Sequence, residues 1–330
     1  MIILGIDTSC DDTSVAVLDG TRVLSDIVSS QVPLHSLFGG VVPEIASRKH
    51  AELIDRIYNQ ALNDAGITLN DVGVIGVTQG PGLIGSLLVG LSFGKGLALA
   101  TGLPLVAVNH VEAHALSIFL EEEVEFPFIS LIVSGGHSVV LLFSEAARFR
   151  VLGTTRDDAV GEAFDKVSKY LSLGYPGGRI IEELARAGNP ACVAFPRPMS
   201  DENNYDFSFS GLKTAFINYA KKHGIADGNR ADVLASFQEA ACEVLALKTV
   251  KAARETGVRT VVLGGGVASN GRLRSTVIER CRTEGISVHV PSPRYCTDNG
   301  AMVAATAHFY AREGLFSPID VKAYSRLKRS

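Results

Sequence analysis

The stretch "IILGIDTSCDDTSVAVLD" (2–19) reads as two short β-strands of Ile, Val and Leu joined by a turn of small and polar residues. With "RVLSDIVSS" (22–30) it predicts a three-stranded meander over "IILGID" (2–7), "TSVAVLD" (13–19) and that third run. The same grammar returns at "FISLIVS" (128–134), "HSVVLLF" (137–143) and "RFRVLG" (148–153), where "SGGH" stands at the first turn in place of "DTSCDDT". A repeat of roughly 125 residues is too long for a solenoid and suits two similar domains. Further strand runs, "VGVIGVTQG" (72–80) and "TVVLGGG" (260–266), alternate with helical patterns, so each half is expected to be a mixed sheet flanked by helices. Two such turns facing each other across a cleft would grip a phosphate chain through their backbone N–H groups. Taken alone, a pair of ordinary meanders explains them equally well.

A third element favours a ligand. "VVLGGGVASNGRLRSTVIERC" (261–281) is a buried strand run, a glycine turn and an amphipathic helix, an arrangement that lets backbone approach a ligand beside a helix N-terminus. Its spacing is not G-x-G-x-x-G, and no G-x-x-x-x-G-K-[ST] occurs, so Rossmann dinucleotide binding and a P-loop both fit poorly. A nucleotide held between two related lobes fits better.

Composition narrows the class. The chain has 330 residues, 46% of them hydrophobic, and is long enough for two cores. A formal net charge of −4 argues against binding nucleic acid by bulk charge. Five widely spaced cysteines, with no CxxC, suit reduced thiols in the cytosol. "MIILGIDTSCDD" lacks the basic start of a signal peptide. The apolar run "GLIGSLLVGLSFGKGLALA" (82–100), with five Gly and Lys95, is expected as a buried helix with no membrane role. A soluble cytoplasmic protein follows.

"VAVNHVEAHALSIFL" (106–120) sets His110 and His114 four residues apart at the start of a helical pattern, so both reach one ion from one helix face. In H-E-x-x-H metalloproteases the Glu follows the first His directly. Here the order is H-V-E-A-H, which turns Glu112 about 200° around the helix from His110 and away from the metal face. Asn109 is a suitable N-cap. A third ligand is required, and Asp298 in "RYCTDNGAM" (294–302) is the candidate, with helix capping as its other reading.

In order, "LGIDTSCDDT", "FGGVVPE", "GPGLIGSLLVG", "NHVEAH", "VSGGH", "GEAFDKV", "GYPGG", "FSFSGLKT", "GGGVASN" and "CTDNGAM" resemble the bacterial tRNA N6-adenosine threonylcarbamoyltransferases, the TsaD family, from about residue 4 to residue 304. An older label of that family, glycoprotein endopeptidase, rested on the histidine pair. The resemblance implies a two-lobed actin/Hsp70-like (ASKHA) α/β fold with a central ligand cleft. The expected lobes are 1–112 plus 300–330, and 113–299. It implies one divalent metal, iron (Fe2+) or zinc (Zn2+), on His110, His114 and Asp298. It places the phosphate and acyl part of the substrate on Val133, Ser134, Gly135 and Gly136, and the nucleotide part on Asp165, Gly178 and Asn270. Asp11 is the expected additional catalytic carboxylate. By position Asp11 and Asp12 are equal candidates to accept the proton of the attacking amine.

Some positions depart from the family pattern. Ile132 stands where archaeal and eukaryotic relatives carry a tyrosine ligand, Ser138 and Val139 replace a Thr-Gln, and Asp12 replaces a frequent Glu. The implied reaction moves threonylcarbamoyl from threonylcarbamoyl-AMP to N6 of adenosine 37 in tRNAs reading ANN codons, giving t6A. The implied partners are tRNA, a TsaB-type paralogue forming a heterodimer and a TsaE-type ATPase. Lys322, Arg326, Lys328 and Arg329 of the tail, or the insertion 195–214, are expected to meet tRNA or to be solvated and packed edges respectively. Two other readings stand beside the transferase: an actin/Hsp70-like ATPase scaffold, which has no need of the histidine pair, and a metallopeptidase, which the position of Glu112 opposes.

Overall fold

A computed structural model describes residues 1–327. Lys328 and Arg329 of the basic tail lie outside the described residues. The chain divides into two compact units, Met1–Val124 with Pro293–Ser330, and Glu125–Ser292. The expected boundaries at 112/113 and 299/300 therefore move. Residues 113–124 and 293–299 belong with the first unit, because the segment after the histidine pair packs on the last helix.

The first unit holds β1 (Ile2–Asp7), β2 (Asp12–Asp19), β3 (Arg22–Ser30), β4 (Val74–Gly80) and β5 (Leu105–Asn109). Its helices are α1 (Val32–His35), α2 (Pro43–Ala65), α3 (Ile84–Thr101), α4 (His110–Leu116), α10 (Pro293–Cys296) and α11 (Gly300–Arg312). The sheet order is β3-β2-β1-β4-β5, with β1–β2–β3 antiparallel and β4 and β5 added in parallel. From Ile3 to Asp7, β1 is wholly buried, as a continuous apolar run between two helical layers requires.

The second unit holds β6 (Phe128–Val133), β7 (Ser138–Glu145), β8 (Arg148–Thr154), β9 (Thr260–Gly264) and β10 (Ser287–His289). Its helices are α5 (Val160–Tyr170), α6 (Gly177–Ala185), α7 (Ser210–His223), α8 (Asp227–Thr256) and α9 (Gly271–Thr283). The order β10-β9-β6-β7-β8 repeats the first topology: an antiparallel meander, then two parallel strands on its first member. The duplication expected from the two hairpins is thus present strand for strand. Phe128, Phe143 and Phe149 stack across three adjacent strands at centroid distances of 5.0 and 5.3 Å, which helps fix their register.

Two details position the site. A methyl group on Gly5 of β1 would lie 2.3 Å from the Gly300 carbonyl oxygen and 2.6 Å from the Ala304 nitrogen, so glycine there lets α11 rest on the strand. Gly300 N–H also donates to Ser14 Oγ at 2.7 Å, which fastens the start of α11 to β2. Helix α3, by contrast, is buried on one face only. Leu87, Leu91 and Ala98 face the core while Leu88 and Leu99 stay 51% and 71% exposed, so the expected buried helix is buried along one face only. Its length and apolarity alone would suffice to cross a bilayer.

Candidate metal centre and anion-binding turns

Strand β5 ends at Asn109, whose side-chain oxygen accepts from Val111 N–H (2.9 Å) and Glu112 N–H (3.2 Å) and so starts α4. All seven residues of α4 are buried. His110 and His114 share a face, with ring centroids 4.7 Å apart. Asp298 meets them from the turn between α10 and α11. Its Oδ1 is 3.1 Å from His114 Nε2 and 3.6 Å from His110 Nε2. The cap of α11 is Asn299, which accepts from Met302 N–H at 2.8 Å, so Asp298 is not spent on capping. One ligand atom from each of His110, His114 and Asp298 lies within 4.8 Å of the others.

This donor set fits a metal ion. Two imidazole nitrogens and one carboxylate oxygen are ligands suited to zinc or ferrous iron, and three protein ligands leave coordination positions open. The surroundings agree. Asp7, wholly buried at the end of β1, has its Oδ1 3.8 Å from His110 Nδ1, and that oxygen has no hydrogen-bond partner among the described residues. Burial, and then the Asp298 carboxylate, push Asp7 well above the usual carboxylate range. The same two causes raise Asp12 to about 7. Asp11 is raised chiefly by burial, with Asp298 adding to it. Carboxylates crowded into so dry a place favour a cation among them.

Glu112 takes no part in that face. It is fully buried, and the Tyr310 hydroxyl lies 2.8 and 2.7 Å from its two oxygens. Burial above all lifts its pKa to about 8. Two further groups near the carboxylate turn went unread in the sequence. His50 Nε2 lies 3.0 Å from the Cys10 carbonyl oxygen, and Gln31 Oε1 is 3.2 Å from His35 Nε2 while Gln31 N–H donates to the Asp11 carbonyl at 3.0 Å. The histidines of "VPLHSLFGGVVPEIASRKH" (32–50) were the available signal; Asp7, the acid ending the first buried strand, was another.

In the second unit the "SGGH" turn is tight. Ser134 N–H donates to the His137 carbonyl at 2.8 Å, and His137 N–H donates to Ser134 Oγ at 3.1 Å. A methyl on Gly135 or Gly136 would meet nothing within 4 Å, so both present open backbone. Gly265 closes on Val133, with a would-be methyl 2.3 Å from its carbonyl oxygen at φ +86°. Asp165 accepts from Gly177 N–H at 2.7 Å, which sets the start of α6 and leaves Gly178 beside it. Asn270 accepts from Leu273 N–H (3.0 Å) to cap α9 and donates to Gln238 Oε1 (2.9 Å). Glu182 of α6 accepts from Gly271 N–H at 2.8 Å, linking the two helix starts. The candidate residues of this unit are therefore helix-start and strand-end groups of one unit, and the metal set with Asp11 belongs to the other.

Comparison with known proteins matches residues 22–305 to the family model "TsaD: tRNA N6-adenosine threonylcarbamoyltransferase". A protein of that name from Geotalea uraniireducens (strain Rf4) is 50% identical over 326 residues, 98% of this chain and 95% of its own. Another from Geobacter sulfurreducens is 51% identical over 316 residues, 95% of this chain and 93% of its own. Among solved structures, T. kodakarensis HypF aligns with TM-score 0.66 and 16% identity over 97% of this chain and 49% of HypF. Component A of the Acidaminococcus fermentans (R)-2-hydroxyglutaryl-CoA dehydratase aligns with TM-score 0.58 and 15% identity over 95% of this chain and 99% of its own. At such identities the likeness is one of fold, the actin/Hsp70-like (ASKHA) fold. With its duplicated sheets and a match over most of its length, the chain belongs to the tRNA N6-adenosine threonylcarbamoyltransferase family.

Proposed function

We propose that this chain transfers the threonylcarbamoyl group of threonylcarbamoyl-AMP to N6 of adenosine 37 in tRNAs that read ANN codons, forming t6A. The observation that carries the proposal is the His110–His114–Asp298 set, with both histidines buried, in a chain half identical to proteins bearing the transferase name. His110, His114 and Asp298 would hold one divalent ion, Fe2+ or Zn2+. When bound, such an ion supplies Lewis acidity and orients an oxygen-rich substrate.

The other roles fall to the chain itself. Amine attack on the carbamoyl carbon expels AMP, and the open backbone of Gly135 and Gly136, beside Val133 and Ser134, stabilises the departing phosphate through its N–H groups. Asp165, Gly178 and Asn270 hold the nucleotide portion. Asp11 accepts the proton of the attacking amine; Asp12, with a pKa near neutral, is the other carboxylate in the same turn. The tail is held by Gln79, which donates to the Lys322 carbonyl and accepts from Tyr324 N–H. Lys322 and Arg326 are there to meet tRNA phosphate. With net charge −4, tRNA binding is shared with a TsaB-type paralogue, and a TsaE-type ATPase completes the cycle.

The test incubates the protein with unmodified tRNA and threonylcarbamoyl adenylate, with and without the two partners. Digested nucleosides are then analysed by mass spectrometry. Threonylcarbamoyladenosine is expected; its absence under every partner combination contradicts the proposal. Asp11→Asn and Asp12→Asn in the same assay separate the two carboxylates.

A further inference from the structure

We propose that buried Glu112 and partly buried Tyr310 form a clamp that sets the rotation of α4 against α11 and thereby holds the two histidines and Asp298 at metal-binding distance. The inference rests on the metal-site reading above. The ligands come from two elements, with a sequence separation of 184 between His114 and Asp298. Helix α4 has only seven residues, and Asn109 fixes its first turn but not its rotation about its axis. That rotation matters. A side-chain tip lies about 5–6 Å from a helix axis, so a turn of about 10° moves it by about 1 Å. Metal–ligand distances tolerate only about 0.2 Å.

Glu112 projects about 200° from His110 around α4, on the face away from the ligands. Both its oxygens meet the hydroxyl of Tyr310, a residue of α11, the helix that begins at Gly300 immediately after the Asp298–Asn299 turn. The same two helices are thus joined on one side through His114 and Asp298 and on the other through Glu112 and Tyr310. Phe119 against Phe309, at a ring distance of 5.0 Å, continues the contact past the end of α4. An apolar pair would fill the space without burying a carboxylate. What a directional hydrogen bond adds is discrimination among rotations that apolar packing tolerates. Glu112 and Tyr310 are positioning residues in this scheme and touch no reacting atom.

The full chain, stripped of metal, is titrated with Zn2+ against a chromophoric chelator and, separately, with Co2+ to record the ligand-field spectrum. Thermal melting of the metal-free form reads the fold independently. Tyr310→Phe is expected to weaken Zn2+ binding by about 10- to 100-fold, the range for supporting partners of metal ligands, and to alter the Co2+ spectrum. Glu112→Gln keeps an acceptor for the Tyr310 hydroxyl and is expected to retain most of the affinity. The decisive variant is the double change Glu112→Leu with Tyr310→Phe, which removes both partners of that hydrogen bond together and is expected to melt no lower than the parent. Weakened Zn2+ binding in that stable variant supports the clamp. Binding and spectrum equal to the parent's overturn it. A parent that binds no metal, or a His110→Ala variant that binds as tightly as the parent, overturns instead the metal-site reading on which the clamp rests.

Discussion

Replacing Gly5 with alanine tests whether close approach of α11 to β1 is what delivers Asp298. The new methyl would sit 2.3 Å from the Gly300 carbonyl oxygen, 2.6 Å from Ala304 N and 2.7 Å from its Cβ. Two of the three are backbone atoms, so no side-chain rotation relieves the clash. An ordinary contact of about 3.4 Å or more requires α11 to move by about 1 Å, and overpacking of this kind costs about 1–3 kcal/mol, occasionally more. For a domain of this size about 3 kcal/mol corresponds to a fall in Tm of roughly 6–12 °C. The start of α11 carries Asp298, so metal affinity should fall with stability. The control is Gly96→Ala. Gly96 is exposed on α3 with nothing within 4 Å of a would-be methyl, and a helical alanine there should stabilise by about 0.5–1 kcal/mol. Calorimetry of both variants decides. Equal melting of Gly5→Ala and the parent, or a comparable fall in Gly96→Ala, would refute the packing argument.

Three further outcomes are expected. In chelator-treated protein, the raised pKa of Asp12 makes folding stability fall with rising pH. The folded state keeps a proton up to about 7 that the unfolded chain loses near 4, so this contribution is present below about pH 4 and is lost through about pH 7. Denaturant titrations at several pH values should show that slope flattened in Asp12→Asn. Lys248, buried with its ammonium donating to the carbonyls of Glu202 (3.0 Å) and Asn204 (2.8 Å), fastens the 199–204 loop to α8. Lys248→Met should therefore speed proteolytic nicking of that loop; an unchanged cleavage rate would contradict the fastening role. Asp7→Asn replaces the buried carboxyl group facing His110 and should weaken Zn2+ binding by about tenfold or more, measured by chelator competition.

Much of this was legible because it is written in local patterns. The two meanders announce themselves through runs of Val, Ile and Leu broken by small polar turns, and the His110–His114 spacing with Asn109 before it specifies a capped helix presenting both rings. The displacement of Glu112 from that face also follows from helical period alone. What stayed hidden depends on distant partners. Nothing near Glu112 indicates Tyr310, and Asp7 reads as a strand end until His110 is folded against it. Asp298 has two readings in sequence because Asn299, its neighbour, is an equally good cap, and only the fold assigns the cap to Asn299. The unit boundary was misplaced for the same reason, since residues 113–124 follow α4 onto α11, a contact without a local signature. Helix α3 is buried on one face only: composition marks it as a buried helix, whereas Leu88 and Leu99 face outward.

The most direct test of the central claim is the metal dependence of transfer itself. Threonylcarbamoyladenosine formation would be followed with the parent protein as prepared, after chelation, after return of Fe2+ or Zn2+, and with His110→Ala whose melting matches the parent's. Product that vanishes on chelation, returns with the ion and is absent from His110→Ala is the predicted result. Undiminished product in the chelated protein or in His110→Ala would contradict the account.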